Sequence, residues 1–557
     1  MRTIVTSIAL AMSLIAQPVV AQQAAPVITE NGYAALLALH EELRAYMVPA
    51  FTTGVVLVSG AKVGEEYDDA LMRAKLTGLA RFEARLAAMP VKSWTPAQQV
   101  DFLVVKSILN GYRFNLAVMR PWRRDPGFYL DPLLRVAFSD VPASGDKLAT
   151  LRSQLAAIPP MIGAARRNLD AVPADFADLA LYNLEKSDGV NHYHPYRAVP
   201  PPGILGWYDD LLARVSKDQP ELLAETRAAR DAVFGFHQWL KAERPRMTAK
   251  AGVGAARLQW YLRHVRMMPY STGQMRDLAA REHQRLGAAL ALTQHRNRNL
   301  PDIPLSTSDA EQKAKVAATD KGVREWIRAN RILTIPDYVG ELRANAPYIE
   351  REGGPNFWEK VQFRDPIPDH LHATIPGHNF DAELAKRDTR PIRGGFADGI
   401  RLEGWAMYLE EAMPLAGALD GHSPRAIELI YRFGIFRATR VPADIYMQHN
   451  RWSVADAVKH MRDGTPWLDE DVARVDAEIY LRRPPGYGLS YMIGKLQLDA
   501  LLAERAMQLG DKFVLGDFHD QFLAAGRLPI ALIRYEMTGR GDEIAAFWST
   551  PPIPAAD

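Results

Sequence analysis

Apolar positions along this chain recur at intervals of three and four, with hardly any alternating stretch between them. That is the period of helices with one buried face. The pattern starts at Tyr33 and runs through Leu36, Leu37, Leu43 and Tyr46 until Pro49 stops it. It is clearest from Pro220 to Lys241, where Leu222, Thr226, Ala229, Val233, Phe236 and Leu240 make one stripe and Pro220 suits a first helical turn. Such a stripe predicts packing against neighbouring helices and needs no cofactor to explain it. Proline and glycine cluster at Arg120 to Pro132, Val199 to Gly206, Asn299 to Pro304 and Asn345 to Pro368, which predicts breaks there. The expected fold class is all-α, with a helical N-terminal half over residues 22–250 and a helical C-terminal half over residues 251–557. The last break delivers the chain into His370 and His372, and long loops inside compact domains are often functional.

The first residues follow another rule. Arg2, the apolar run from Ile4 to Ala16 and the small-residue site Val19-Val20-Ala21 read as an export signal over residues 1–21, too short to span a bilayer comfortably. A mature chain starting near Gln22 is then periplasmic or secreted, with no membrane anchor after cleavage. The 557 residues include no cysteine, which excludes disulfides, thiol catalysis, cysteine zinc fingers and a lipidated cysteine. Hydrophobic and charged fractions of 48% and 24% are those of an ordinary globular chain. With 67 basic against 65 acidic residues, no nucleic-acid partner is expected. Neither a Gly-x-Ser-x-Gly elbow nor a phosphate-binding glycine loop occurs.

Candidate chemistry concentrates at His372-Ala373-Thr374-Ile375-Pro376-Gly377-His378-Asn379 and the later Glu403. Two imidazoles and a helical carboxylate are a zinc-hydrolase ligand set with a fourth position left for water. On an unbroken helix His372 and His378 would lie about 120° apart around the axis and about 9 Å along it. Pro376-Gly377 must therefore bend the chain before both can reach one ion. Glu403 falls in a helix expected over Arg401–Met413, with Glu410 on the same face. Glu410, or Asp444 from a later helix, is placed to orient a ligand from behind. The plainer alternatives are helix-end histidines and a first-turn acid favoured by the helix dipole.

Pro376-Gly377-His378, Leu402-Glu403-Gly404-Trp405-Ala406-Met407-Tyr408, the run Pro485-Gly486-Tyr487-Gly488-Leu489-Ser490-Tyr491-Met492-Ile493-Gly494, then Gly510-Asp511-Lys512-Phe513 and Phe518-His519-Asp520, resemble the bacterial family called domain of unknown function 885. The resemblance implies a helical scaffold related to zinc metallopeptidases of the thimet-oligopeptidase and angiotensin-converting-enzyme kind, with a deep cleft between two halves. It also implies metal-ligand roles for His372, His378 and Glu403, and a peptide or small amide as substrate. Typical members read His-Glu-x-x-Pro-Gly-His-His, so Ala373 and Asn379 are departures. Downstream, where the family tends to show Asp-Thr-Gly-x-His, Asp444 keeps the aspartate while Ile445, Tyr446 and Gln448 depart, and Tyr487 stands where Gln is usual.

Ala373 matters most, because the glutamate missing there is the base that takes a proton from metal-bound water, and a positioned base contributes about 10²- to 10⁴-fold. Asp369 is the nearest substitute in sequence, although an aspartate before a helix more often caps it; Glu410 and Glu411 are further candidates. Tyr491 and His519 are candidate partners for a developing oxyanion. The trio His192-Tyr193-His194 reads chiefly as a surface loop. The expectation is an exported, zinc-holding, metallopeptidase-like protein with non-standard proton handling; the alternatives are a catalytically silent peptide binder, a metal-dependent lyase or isomerase, and a structural helical protein without metal.

Overall fold

A computed structural model describes residues 32–48, 67–187, 190, 197, 199–342 and 348–556. The export segment at 1–21 and the trio at 192–194 lie outside the described residues. Among the described residues the architecture is all helical, and the one β-bridge pairs Pro173 with Ala249.

Helix α1 spans Tyr33–Tyr46 and buries Leu36, Leu39, His40 and Leu43. It is followed at intervals by α2 (Ala174–Glu185) and α3 (Leu223–Glu243). The stripe read from Pro220 onward becomes a 3₁₀ turn at Pro220–Leu222 and then α3, which buries Thr226, Ala229, Val233, Phe236 and Leu240. The stretch from Arg120 to Pro132, expected to be a break, instead holds two short helices, Pro121–Arg124 and Pro126–Leu130. Each begins on a proline, whose missing N–H costs nothing in a first turn.

The C-terminal half carries α4 (Thr272–Arg296), α5 (His378–Ala385), α6 (Gly399–Leu415), α7 (Ala426–Gln448), α8 (Val454–Gly464), α9 (Glu470–Arg482), α10 (Tyr487–Leu509) and α11 (Leu515–Ala524). Helix α7 packs against α4 on one side and α10 on another, and α10 also lies along α6. The α6–α10 approach is close because glycines face each other. A Cβ on Gly404 would come within 2.5 Å of the Gly494 backbone, and one on Gly494 within 2.3 Å of the Ile400 carbonyl.

One apolar core runs through both halves, from Leu36 and Leu39 near the start to Leu532, Ile533 and Phe547 near the end. A second cluster gathers Phe114, Trp260, Tyr261, Met268, Ile435 and Met492. Buried ion pairs cross between the halves. Arg393 reaches Asp101 at 2.7 Å, and Arg482 reaches Asp125 at 3.0 Å. Pairs of this kind add little net stability but penalise any other docking of the two halves, since a stranded buried charge is costly. Among the described residues no helix is long and apolar enough to cross a membrane.

Candidate metal centre

The chain reaches the candidate site through a π-helical turn at His370–Thr374, and α5 restarts at His378. The break between them is as tight as the Pro376-Gly377 spacing demands. A Cβ on Gly377 would lie 1.8 Å from the His372 carbonyl oxygen, so only glycine fits there. Trp405 of α6 fastens the bend by donating its indole N–H to the Pro376 carbonyl at 2.9 Å. Helix α6 starts two residues earlier than the pattern predicts because the Asp398 side chain caps it, accepting from the Arg401 N–H at 2.9 Å.

These elements bring His372, His378 and Glu403 together. The Nε2 atoms of the two histidines are 3.2 Å apart, and Glu403 Oε2 lies 3.2 Å from His378 Nε2 and 3.6 Å from His372 Nε2. A tetrahedral ion with bonds of about 2.0–2.1 Å sets its donors about 3.3 Å apart, so the three edges fit one ion. Behind His372, Glu410 Oε1 sits 2.7 Å from Nδ1. That carboxylate accepts the Nδ1–H, and a neutral His372 would then turn its Nε2 lone pair toward His378 and Glu403. Arg437 of α7 holds Glu410 at 2.9 Å from the other side.

Helix α10 closes the far side. The Tyr487 hydroxyl donates to Glu403 Oε1 at 3.0 Å, and the Tyr491 hydroxyl donates to that of Tyr487 at 3.0 Å. The Tyr491 ring stacks on the His372 imidazole with centroids 6.1 Å apart. Burial opposes the charged form of His372, as does Arg437, yet hydrogen bonds to Glu403 and Glu410 hold its pKa above the usual value. Burial also pushes Glu403 upward, but the two imidazoles outweigh it and keep this carboxyl well below the usual range. Burial first, and the Glu403 charge second, push both tyrosine hydroxyls up, so they remain protonated donors at neutral pH.

The other residues singled out from the sequence lie around this centre or away from it. Asp369 is buried immediately before the π-helical turn, and its side chain does not cap that turn. Ala373 is buried within the turn. Glu411 points away, to Arg285 at 2.7 Å and Lys495 at 3.0 Å. Asp444 is fully buried and caps α10 from a distance, accepting from the Leu489 N–H at 3.2 Å. It thus fixes the helix that carries both tyrosines, and burial pushes its carboxyl up to about 7. His519 lies in the wall behind Trp405: its Nδ1 donates to the Ile332 carbonyl at 2.7 Å and its Nε2 accepts from the Tyr408 hydroxyl at 2.8 Å. Burial pulls its pKa down to about 4.

Two residues beside the site escaped the reading of the chain. Arg437 was signalled only by charges at helical spacing, Arg437, Arg440 and Asp444, on a helix face otherwise apolar. Nothing in the sequence around Tyr487 signals that it reaches Glu403. A cavity of about 1050 Å³ lies elsewhere, between α2, α8 and α9, and the triad does not line it.

Residues 370–537 match the family described as bacterial protein of unknown function (DUF885), a segment that contains the whole triad and both tyrosines. No curated protein matches the chain. Among solved structures, it is similar to a candidate lipoprotein of unknown function from Shewanella oneidensis, with a TM-score of 0.65, 17% identity and coverage of 91% of this chain and 99% of that one. It is also similar to a candidate lipoprotein from Colwellia psychrerythraea, with a TM-score of 0.65, 16% identity and coverage of 91% and 98%. At such identities the likeness shows a shared fold.

Proposed function

We propose that this protein holds one divalent metal ion, zinc by donor chemistry, on His372, His378 and Glu403, and binds a peptide or small amide whose carbonyl faces that ion. The observation that carries the reading is the triad itself: three donor edges of 3.2, 3.2 and 3.6 Å, with the His372 Nδ1 already engaged by Glu410. A bound zinc would supply Lewis-acid polarisation of a carbonyl. The protein's own part is to orient the ligands through Glu410 and Arg437 and to present protonated hydroxyls on Tyr487 and Tyr491. Kinship with helical zinc peptidases belongs to this proposal, as does an extracytoplasmic location, which the likeness to candidate lipoproteins supports. The chain has no cysteine to carry a lipid, so a cleaved export signal is the route consistent with its sequence.

Ala373 favours a second reading, a silent binder. The carboxylates nearest the imidazoles have other tasks: Glu403 faces both rings, and Glu410 is shared between His372 and Arg437. Metal analysis of protein purified without chelators tests the site: about one equivalent is expected, and less than roughly a tenth overturns it. Ala373→Glu separates the two readings. Peptide hydrolysis that appears only in this variant supports the silent binder, whereas turnover by the unaltered chain supports chemistry that does not use position 373.

A further inference from the structure

Glu403 turns only one of its oxygens toward the imidazoles. Oε2 faces both, at 3.2 Å from His378 Nε2 and 3.6 Å from His372 Nε2, while Oε1 accepts the Tyr487 hydroxyl at 3.0 Å. Tyr487 is fixed in that pose. It is the first residue of α10, whose start the Asp444 carboxylate pins through the Leu489 N–H, and its ring meets that of Tyr491 edge-on with centroids 5.7 Å apart.

The direction of these hydrogen bonds follows from the groups themselves. An ionised carboxylate has acceptors only, so Tyr487 must donate to Glu403, and its oxygen is then left to accept from the Tyr491 hydroxyl at 3.0 Å. Tyr491 is clamped in turn. Its ring stacks on His372 at 6.1 Å, and the Arg440 guanidinium, paired with Asp476 at 2.7 Å, lies 4.6 Å from its centroid. Two phenols in series thus tie Glu403 Oε1 to the wall that also supports His372.

We infer, on the metal reading above, that Tyr487 is a positioning residue that restricts Glu403 to one ligating oxygen and thereby sets which ion the centre selects. Three protein donors suit zinc or cobalt in a four-coordinate site. Manganese and calcium prefer six or more positions rich in oxygen, which this arrangement withholds. Without the phenol, Glu403 could offer both oxygens, and the added donor would favour those ions.

Visible absorption of the cobalt-loaded full chain, together with competition between zinc and manganese, tests this in the unaltered protein, Tyr487→Phe and Tyr491→Phe. The unaltered chain should show the intense bands of four-coordinate cobalt. Tyr487→Phe frees Oε1 and should weaken those bands about twofold and lower the zinc-to-manganese affinity ratio about tenfold. Tyr491→Phe leaves the bond to Glu403 in place and should change both less. Unchanged bands and ratio in Tyr487→Phe with metal bound, or a fall in both affinities that leaves their ratio constant, overturn the inference while the metal reading stands. Failure of the unaltered chain to take up cobalt or zinc overturns that reading, and the inference with it. Should Tyr487→Phe fail to fold, a crystal structure of the zinc-loaded unaltered chain decides: one Glu403 oxygen on the ion supports the inference and two overturn it.

Discussion

At the triad, donor atoms lie within 4.8 Å of one another and are braced by Glu410, Arg437 and Tyr487. In the cavity between α2 and α9, about 1050 Å³ of space is bounded by charges that mostly pair among themselves. Metal-ligating side chains converge at the triad, whereas the cavity is bounded largely by charges in pairs. The contrast teaches that cavity size and reactive groups are separate clues in this molecule.

The largest effect should come from His372→Ala combined with His378→Ala. Removing two of three donors is expected to abolish measurable metal binding, read by competition with a chromogenic chelator, while far-ultraviolet circular dichroism stays unchanged. Loss of both together would mean that the triad serves the fold, and would collapse the distinction between the regions.

Next comes a pH effect away from the metal ligands. Asp444 has a folded pKa of about 7 against an ordinary 3.8. At low pH it is protonated in both states, and as pH rises the unfolded chain ionises first. Its stabilising contribution is therefore full below pH 4 and is lost as pH climbs through 7, at about 1.4 kcal/mol per unit and about 4 kcal/mol at most. Urea unfolding at several pH values should show Asp444→Asn gaining on the unaltered protein across that window. A constant difference would mean that Asp444 is already ionised in the fold.

Glu410→Gln should lower metal affinity about 10- to 100-fold, because it loosens the orientation of His372 without removing a donor. Competition titration reads this directly, and an unchanged affinity would detach Glu410 from the site. The smallest effect is expected for Trp467→Gly on stability. Trp467, in the cavity wall, holds a backbone φ of 73°, which a bulky residue rarely adopts. Release of that left-handed backbone, worth about 1 kcal/mol or more, offsets lost packing, so the melting temperature should move little and metal content not at all.

Much of the fold was legible because helices bury a stripe at a fixed period: α1, α3 and α6 fall within a few residues of their expected bounds. The bend between His372 and His378 was legible too, since Pro376-Gly377 interrupts any helix joining them. What was not legible depends on partners distant in sequence. Tyr487 meets Glu403 across the α6–α10 contact that Gly404 and Gly494 keep close, and Glu410 meets His372 where α6 packs on the π-helical turn. Asp444, expected to support a ligand, faces the start of α10 instead, where Gly488 leaves room for it. Prolines misled between Arg120 and Pro132, because the residue that ends one helix equally well begins the next.

The three donors differ in their contact with solvent. The side chain of His378 is 31% exposed, whereas those of His372 and Glu403 are 9% and 11%. On the proposed metal reading, an arriving ion would meet this imidazole first and shed water as the deeper pair takes hold. A bulky chelator would have to wait for the ion to slip outward, so extraction should be slow even where the equilibrium favours it.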